Sequence, residues 1–309
     1  MKNQPASLSG RQVKFLENKG QMMDMDGNPV PFVLFKAEGP GVNLFITKEG
    51  LTWQTLKIEE HENDDNNEQE AFPQPLLYPE KQEGLVKIAW ERLDVLLKGA
   101  TIKKENIIKE NPSQGIFNFF YPHCPNGIYG VREYDKITIK DVYPGIDWVF
   151  YNSNEKGFKY DFIVHPGADY KLIELVYKSK TPVKINSNGE IELWTQYGNI
   201  TENAPLSFLQ NEEIPTKFLL KNYNNFLVNN EKGYKTSIVF FLPERIGVNP
   251  KSTLVIDPQL VWGTFCGGNA ADGPKAIHAD NNDNILILSL IHISEPTRLR
   301  RISYAVFCL

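Results

Sequence analysis

The chain has 309 residues, of which 41% are hydrophobic, and a formal net charge of −5 at pH 7. This length allows one large or two medium domains with a sizeable core. Proteins that bind nucleic acid normally carry a basic patch, so the excess of acidic residues argues against that class. The 13 Tyr and 18 Phe favour strands over helices.

The N-terminal third contains short β-rich runs separated by glycine and proline. After residues 1–13, which are predicted to be disordered, the runs lie at 33–37, 42–47 and 51–58. Strands this short, with a glycine between each, indicate a meander. The acidic segment 59–71 has almost no apolar residue and is predicted to be a solvated loop. A calcium site there is the alternative, but the spacing of a calcium-binding loop is missing.

Two stretches of this region are ambiguous. Residues 85–97 mix strand and helix periods, and we favour a strand through Leu93. Residues 116–121 are rich in aromatics and precede a loop-like stretch, 122–127. Such a run suits either a stacking platform for bases or sugars or the packing of a core. We favour core or strand packing, because aromatic side chains usually supply buried area.

The stretch 134–177 is predicted to be a strand meander on which the rest of the chain is organised. Pro144-Gly145 suits a turn, because proline presets φ at the first central position and glycine accepts a positive φ at the second. Within 158–164 the even positions share one face, whereas Lys159 and Asp161 face outward. Proline at 166 then ends the strand.

Further short runs follow the meander and complete the predicted fold. They lie at 183–185, 190–195, 218–220, 226–228 and 236–242. Asn188-Gly189 is a strong hairpin signal, because both residues tolerate the positive φ of a type I′ turn. No amphipathic helix of ordinary length is evident, so we predict an all-β, sandwich-like fold of antiparallel sheets. A boundary between residues 125 and 126 divides it into two β-rich subdomains, 14–125 and 126–259.

The last 22 residues, 288–309, match the translation of a common sequencing-library adapter. We therefore exclude them from fold reasoning and expect the natural chain to be truncated here at about Ile287, with its continuation missing. The apolar stretch 285–293 is too short for a membrane-spanning helix. Removing the tail's three arginines and one glutamate from the 33 basic and 38 acidic residues leaves a net charge of −7.

Residues that commonly bind metals or cofactors show no recognisable pattern. Outside the tail, the two distant cysteines fit neither a disulfide scaffold nor a metal site, and the histidines lack ligand spacing. These residues are Cys124, Cys266, His61, His123, His165 and His278. We therefore predict no cofactor, no metal site and no assigned catalytic residue.

Several motifs together resemble a known family. They are 17–21 (ENKGQ), 134–137 (YDKI), 141–147 (DVYPGID), 160–169 (YDFIVHPGAD) and 254–258 (LVIDP). The chain resembles the uncharacterised N-terminal domain that precedes SBBP repeats, named for a seven-bladed β-propeller, in secreted bacterial proteins. Residues 260–287 resemble the first such repeat, cut off within a blade. Two stretches depart from the family pattern: residues 118–123, and the acidic insert at 59–71, which looks like an elaboration.

The resemblance implies an extracellular or cell-surface protein, often one with a sorting domain for type IX secretion. It brings no established site residues. Our first expectation is a non-enzymatic scaffold or adhesion module that binds a glycan, the matrix or a cell-surface protein. The alternative is an accessory domain of a secreted carbohydrate-active hydrolase, because Asp147 and Asp161 lie on neighbouring predicted strands and glycoside hydrolysis needs two carboxylates.

Overall fold

The computed structural model describes residues 13–39, 42–59, 87–153, 157–195, 198–228, 231–246, 250–258, 260–263, 274–279, 285–289 and 306–307. The predicted disordered segment, apart from residue 13, lies outside these ranges, as do residues 60–71 of the acidic loop. So do most of the predicted repeat and of the tail.

The described residues form strands and three short 3₁₀ helices, which confirms the all-β class. The first strands are β1 (Phe15–Glu17), β2 (Met23–Asp24), β3 (Val33–Gly39), β4 (Val42–Thr47), β5 (Gly50–Glu59), β6 (Lys87–Leu97), β7 (Ile107–Pro112), β8 (Phe117–Tyr121), β9 (Cys124–Val131), β10 (Glu133–Tyr143), β11 (Ile146–Ser153) and β12 (Gly157–Val164). The remainder are β13 (Glu174–Ser179), β14 (Lys184–Ile185), β15 (Ile191–Thr195), β16 (Gly198–Glu202), β17 (Leu206–Leu209), β18 (Glu212–Pro215), β19 (Lys217–Val228), β20 (Glu231–Phe241), β21 (Leu254–Asp257), β22 (Leu260–Gly263), β23 (Pro274–Ala279), β24 (Ile285–Ser289) and β25 (Val306–Phe307). The 3₁₀ helices are Lys104–Asn106, Tyr170–Leu172 and Glu244–Ile246.

One large antiparallel sheet dominates the fold and nearly closes on itself. Its strand order is β18-β17-β21-β12-β11-β10-β1-β3-β4-β5-β6-β13-β20-β19, and β7 also pairs with β10. The first and last strands of this order are consecutive in the chain, and Thr216 alone separates them. Because one residue joins the two ends, the sheet is barrel-like.

The large sheet joins the two predicted subdomains. Strand β1 lies between β3 and β10, and β6 pairs with β13. The predicted boundary at 125/126 falls within β9, and one hydrophobic cluster includes strands from both sides of it. No break in pairing or core therefore corresponds to that boundary among the described residues.

The interior is filled by aromatic side chains from opposite sides of the sheet. Phe158 and Phe162 of β12 contact Trp53 of β5 and Phe240 of β20, with ring centroids 5.4 and 6.0 Å apart. Trp148 is fully buried and stacks on Phe162 at 5.7 Å. The predicted inward face of 158–164 is thus confirmed. Opposite walls that meet through side chains make the barrel flat and sandwich-like.

A smaller four-stranded sheet, in the order β14-β15-β16-β22, packs against this core through buried Ile191, Leu193 and Ile200. The hairpin predicted from Asn188-Gly189 is present, with Ile185 opposite Ile191. Its predicted type I′ geometry is wrong, because Gly189 has φ 81° and Asn188 is not among the residues with positive φ. A single left-handed glycine fits the longer loop 186–190 better than a two-residue turn.

Two further local predictions, the strand at 85–93 and the turn at Pro144-Gly145, can be compared with the structure. Residues 87–97 form strand β6, which extends beyond the predicted end at Leu93 because residues 87–96 pair with β5. Gly145 has φ 71°, as the predicted turn after Pro144 requires. A Cβ on Gly145 would also lie 2.9 Å from the Cβ of Ala168, so both the conformation and the close approach require glycine here.

Candidate functional site

The two carboxylates of the hydrolase alternative lie on the same face of neighbouring strands. Asp147 of β11 is paired with Ile163, and Asp161 of β12 is paired with Val149. This register makes the two aspartates diagonal neighbours, for which Cα atoms are about 7–8 Å apart. Their surroundings are different, and each has its own partners.

Asp147 is part of a hydrogen-bonded turn. Its Oδ2 lies 2.8 Å from Lys140 Nζ and 2.9 Å from His165 Nε2. Its Oδ1 accepts a hydrogen bond from the backbone N–H of Asp141 at 3.0 Å. Asp141 has a positive φ of 51°. Although burial opposes the effect, these contacts hold the pKa of Asp147 below its ordinary value. Because all three partners lie on or beside the β10–β11 turn, Asp147 braces that turn.

Asp161 belongs to a different cluster on the outer face of the sheet, with Lys159, Tyr151 and Asp257. Lys159 Nζ lies 2.6 Å from Asp257 Oδ2, and the Tyr151 hydroxyl donates to Asp161 Oδ2 at 3.0 Å. Burial, and secondly the charge of Asp257, raises the pKa of Asp161 to about 7. Lys159 was predicted to face outward and does, yet it is only 7% exposed.

A third carboxyl group, that of Glu202 on β16, is fully buried. The sequence did not indicate it as a site residue. Its Oε2 accepts the hydroxyls of Tyr160 at 3.1 Å and of Tyr177 at 3.0 Å. Tyr160 is on β12 and Tyr177 on β13, so the carboxyl links opposite walls of the barrel to the smaller sheet. Burial raises its pKa to about 7, with the two tyrosine hydrogen bonds acting in the opposite direction.

Strands β8 and β9 form an antiparallel hairpin that carries exposed aromatic side chains. We call it the aromatic hairpin (residues 117–131). Among the described residues these two strands pair only with each other. We predicted core or strand packing for this aromatic run; the residues do form a strand, but the prediction of core packing is wrong. Phe120 is 65% exposed and Tyr129 59%, because the hairpin stands outside the large sheet that encloses the core.

The rings of the hairpin are ordered in two groups. On one face Phe117, Phe119, Tyr121 and His123 form a stacked row, with successive centroids 6.4, 5.9 and 5.6 Å apart. Phe120 meets Tyr129 edge to face at 5.5 Å. These contacts preorganise the rings, since each is held by its neighbour while part of its surface stays exposed.

The glycine at 127 shapes the Phe120 side of the hairpin. Its φ is 73°, and a Cβ there would lie 2.8 Å from the Phe120 ring. The backbone of Gly127 therefore forms a floor against which the exposed ring packs.

The hairpin is anchored to the 17–21 motif both near its open end, at Gly130, and at its turn, at His123. Lys19 Nζ donates to the carbonyl of Gly130 at 2.9 Å, and His123 Nε2 lies 3.1 Å from the carbonyl of Gly20. Asn18 holds the motif itself, because its Oδ1 accepts the amide of Gly20 and its Nδ2 donates to the carbonyl of Val33. The motif thus has a visible structural role in fixing the hairpin to the sheet.

Metal-ligating residues do not converge in the described part of the chain, where no group of three or more His, Cys, Asp or Glu is placed to hold an ion. Cys124 is free and half-buried. Two of the four histidines outside the C-terminal tail, His123 and His165, have the backbone and carboxylate partners given above. Cys266, His61 and the side chain of His278 lie outside the described residues.

Residues 15–259 match the family model described as Domain of unknown function (DUF7948). The chain belongs to this family. The DUF7948 segment begins with β1 and includes β21, so it contains every strand of the large sheet. No curated protein and no solved structure is significantly similar to the chain. Within the described residues, no helix is long and apolar enough to cross a membrane.

Proposed function

We propose that this DUF7948 chain is a non-enzymatic binding module of a large secreted or cell-surface bacterial protein, with the aromatic hairpin as its binding surface. The observation that carries the proposal is the exposure of preordered rings on a hairpin outside the core. Large aromatic side chains left in water cost free energy that a partner can recover by covering them. Neither the core nor the sheet pairing of the described residues accounts for this arrangement.

A glycan is the ligand that this surface favours. The flat apolar face of a sugar ring packs on an exposed aromatic ring, and its hydroxyls need polar neighbours. Asn126 in the same hairpin and Pro125 beside it are exposed, so the rim combines amide and apolar groups. The net negative charge of the chain disfavours polyanionic ligands. Matrix and cell-surface proteins are the competing ligand class.

The proposal extends to the context of the module. The sequence of residues 260–287 resembles the start of an SBBP repeat, and we assign it to the first blade of a β-propeller that follows the DUF7948 domain. Under this assignment the domain is the β-rich head of an exported protein, and type IX secretion is the export route we propose.

The binding proposal is tested by replacing the two most exposed rings of the hairpin. Phe120→Ala with Tyr129→Ala should weaken binding to a panel of insoluble and immobilised glycans at least about tenfold, because central aromatic contacts are often worth more than 1.4 kcal/mol. Trp194→Ala is the matched control, since Trp194 is 49% exposed but lies on β15, outside the hairpin. Equal retention of all three proteins, or no retention of the parent chain, contradicts the proposal. Retention on matrix protein alone would show that the ligand is a protein and not a glycan.

The hydrolase alternative has one observation in its favour. Asp147 and Asp161 share a sheet face, and their environments move their pKa values in opposite directions, as an acid and a base require. Under this alternative Asp161 is the general acid and Asp147 the base or nucleophile. Asp161→Asn should then abolish turnover in a broad polysaccharide screen. Absence of turnover by the parent chain eliminates the alternative.

A further inference from the structure

In the outer-face cluster around Lys159, a lysine amine and an aspartate carboxyl group are in close contact and largely shielded from water, unlike in an ordinary surface ion pair. Lys159 Nζ and Asp257 Oδ2 are 2.6 Å apart, and both side chains are buried, at 9% and 12% exposure. Lys159 is also 5.6 Å from the centre of the Tyr151 ring. A primary amine and a carboxyl group are therefore held in contact, with little access for water.

Asp161 supplies a second carboxyl beside the first. By the antiparallel register of β12 and β21, in which Phe162 is paired with Ile256, Asp161 is opposite Asp257. The Oδ1 atoms of both aspartates are buried and without a hydrogen-bond partner. A proton held between the two carboxyls satisfies both atoms, which agrees with the pKa of Asp161 near 7.

We propose that Lys159 and Asp257 form an intramolecular isopeptide bond, with Asp161 as the proton shuttle. Transfer of one Nζ proton from Lys159 to Asp257 gives a neutral amine and a carboxylic acid in contact. The Nζ lone pair then attacks Cγ of Asp257 and forms the C–N bond. Asp161 gives a proton to the leaving hydroxyl and takes one from the amine nitrogen. The C–O bond breaks and one water molecule leaves, so the products are an amide and water, with no oxidant or cofactor required.

Three features of the site favour this condensation. Contact between the reacting groups removes the entropic cost of bringing them together. Burial weakens the preference for a charged pair over a neutral amine and acid. Exclusion of water also opposes the reverse reaction, hydrolysis of the amide. The bond joins β12 to β21, the strand of the large sheet that comes last in the sequence. It is independent of the function of the aromatic hairpin.

The same chain contains an ion pair of equal length that lacks these features. Lys221 Nζ lies 2.6 Å from Glu174 Oε2, but the Lys221 side chain is 49% exposed. Glu174 also binds Lys98 at 3.0 Å, and these two amines hold its pKa low against the effect of burial. A carboxylate that stays ionised next to hydrated amines does not condense, so this pair is the internal control.

The test is the intact mass of the full chain under denaturing conditions. The expected result is a mass lower than calculated by one water molecule, and a cross-linked peptide pair that contains Lys159 and Asp257. Lys159→Arg and Asp161→Asn should each restore the calculated mass, the second with both reacting residues still present. No peptide pair should join Lys221 to Glu174.

Two results overturn the proposal without reference to any variant. One is the full calculated mass of the parent chain after prolonged incubation at neutral pH. The other is a loss of water that peptide mapping places elsewhere, such as at a succinimide within a single peptide. Full cross-linking in Asp161→Asn overturns the role of Asp161 as the shuttle, while the bond itself is retained.

Discussion

The substitution Glu202→Gln isolates the energetic effect of the fully buried carboxyl. A protonated glutamic acid and a glutamine have similar shapes, and in each one oxygen can accept the hydroxyls of Tyr160 and Tyr177. The two proteins should therefore be close in stability at pH 4.5, where the carboxyl is protonated in the folded state. Their free energies of unfolding should diverge as the pH rises.

The size of that separation follows from the pKa values. Folding raises the pKa of Glu202 from an ordinary 4.5 to about 7. Between these values the folded state binds more protons than the unfolded state, so the free energy of unfolding falls as pH rises. The loss is about 3 kcal/mol at pH 8, and the glutamine variant, which does not titrate, avoids it. Groups such as Asp161 titrate in both proteins and cancel in the difference.

The assay is urea denaturation of both proteins at several pH values from 4.5 to 8. We expect the stability of the variant relative to the parent to rise by about 3 kcal/mol over this range. Tyr177→Phe is a useful companion, because it removes one donor to the carboxyl and should raise the Glu202 pKa further. A difference between Glu202→Gln and the parent that does not change with pH would refute the reasoning.

Three further predictions concern the core, the turn and the hairpin. Trp148→Ala removes a fully buried ring stacked in the core and should cost about 3–5 kcal/mol of unfolding free energy in urea; a cost below about 1 kcal/mol would contradict its placement. Asp147→Asn should destabilise by about 1–2 kcal/mol at pH 7, because a charged acceptor is lost. Since folding lowers the Asp147 pKa, this difference should shrink on acidification below pH 4, and an equal difference at pH 3 and pH 7 would count against it. Gly127→Ala should speed amide hydrogen exchange in the hairpin, with a local cost of about 1 kcal/mol. Gly115→Ala should not, because a Cβ added there would meet no atom within 4 Å and the residue has no positive φ.

Patterns of alternating side chains predicted much of the sheet. The face formed by Phe158, Tyr160, Phe162 and Val164 follows directly from a period of two, and so does the opposite orientation of Lys159. Alternation identifies a face, however, and not whether that face is covered. For this reason the burial of Lys159 and the partial burial of Asp161 were not predictable from their strand alone.

The clusters of polar groups depend on contacts between distant parts of the chain. Glu202 meets residues 25 and 42 positions earlier in the sequence, and nothing in the stretch around it marks it as buried. The aromatic run at 117–121 has the composition of a core strand, and only its place outside the large sheet makes it a surface. Local sequence could indicate the strands, but not which of them would enclose the others.

The position of β21 in the sheet has a consequence for how the chain folds. This strand lies between β12 and β17, although β12 ends at Val164 and β21 begins only at Leu254. Until residues 254–257 are synthesised, β12 has no partner on one side and the barrel stays open. Such long-range pairing makes folding slow, and a chain that ends before β21 should expose two unpaired strand edges and aggregate.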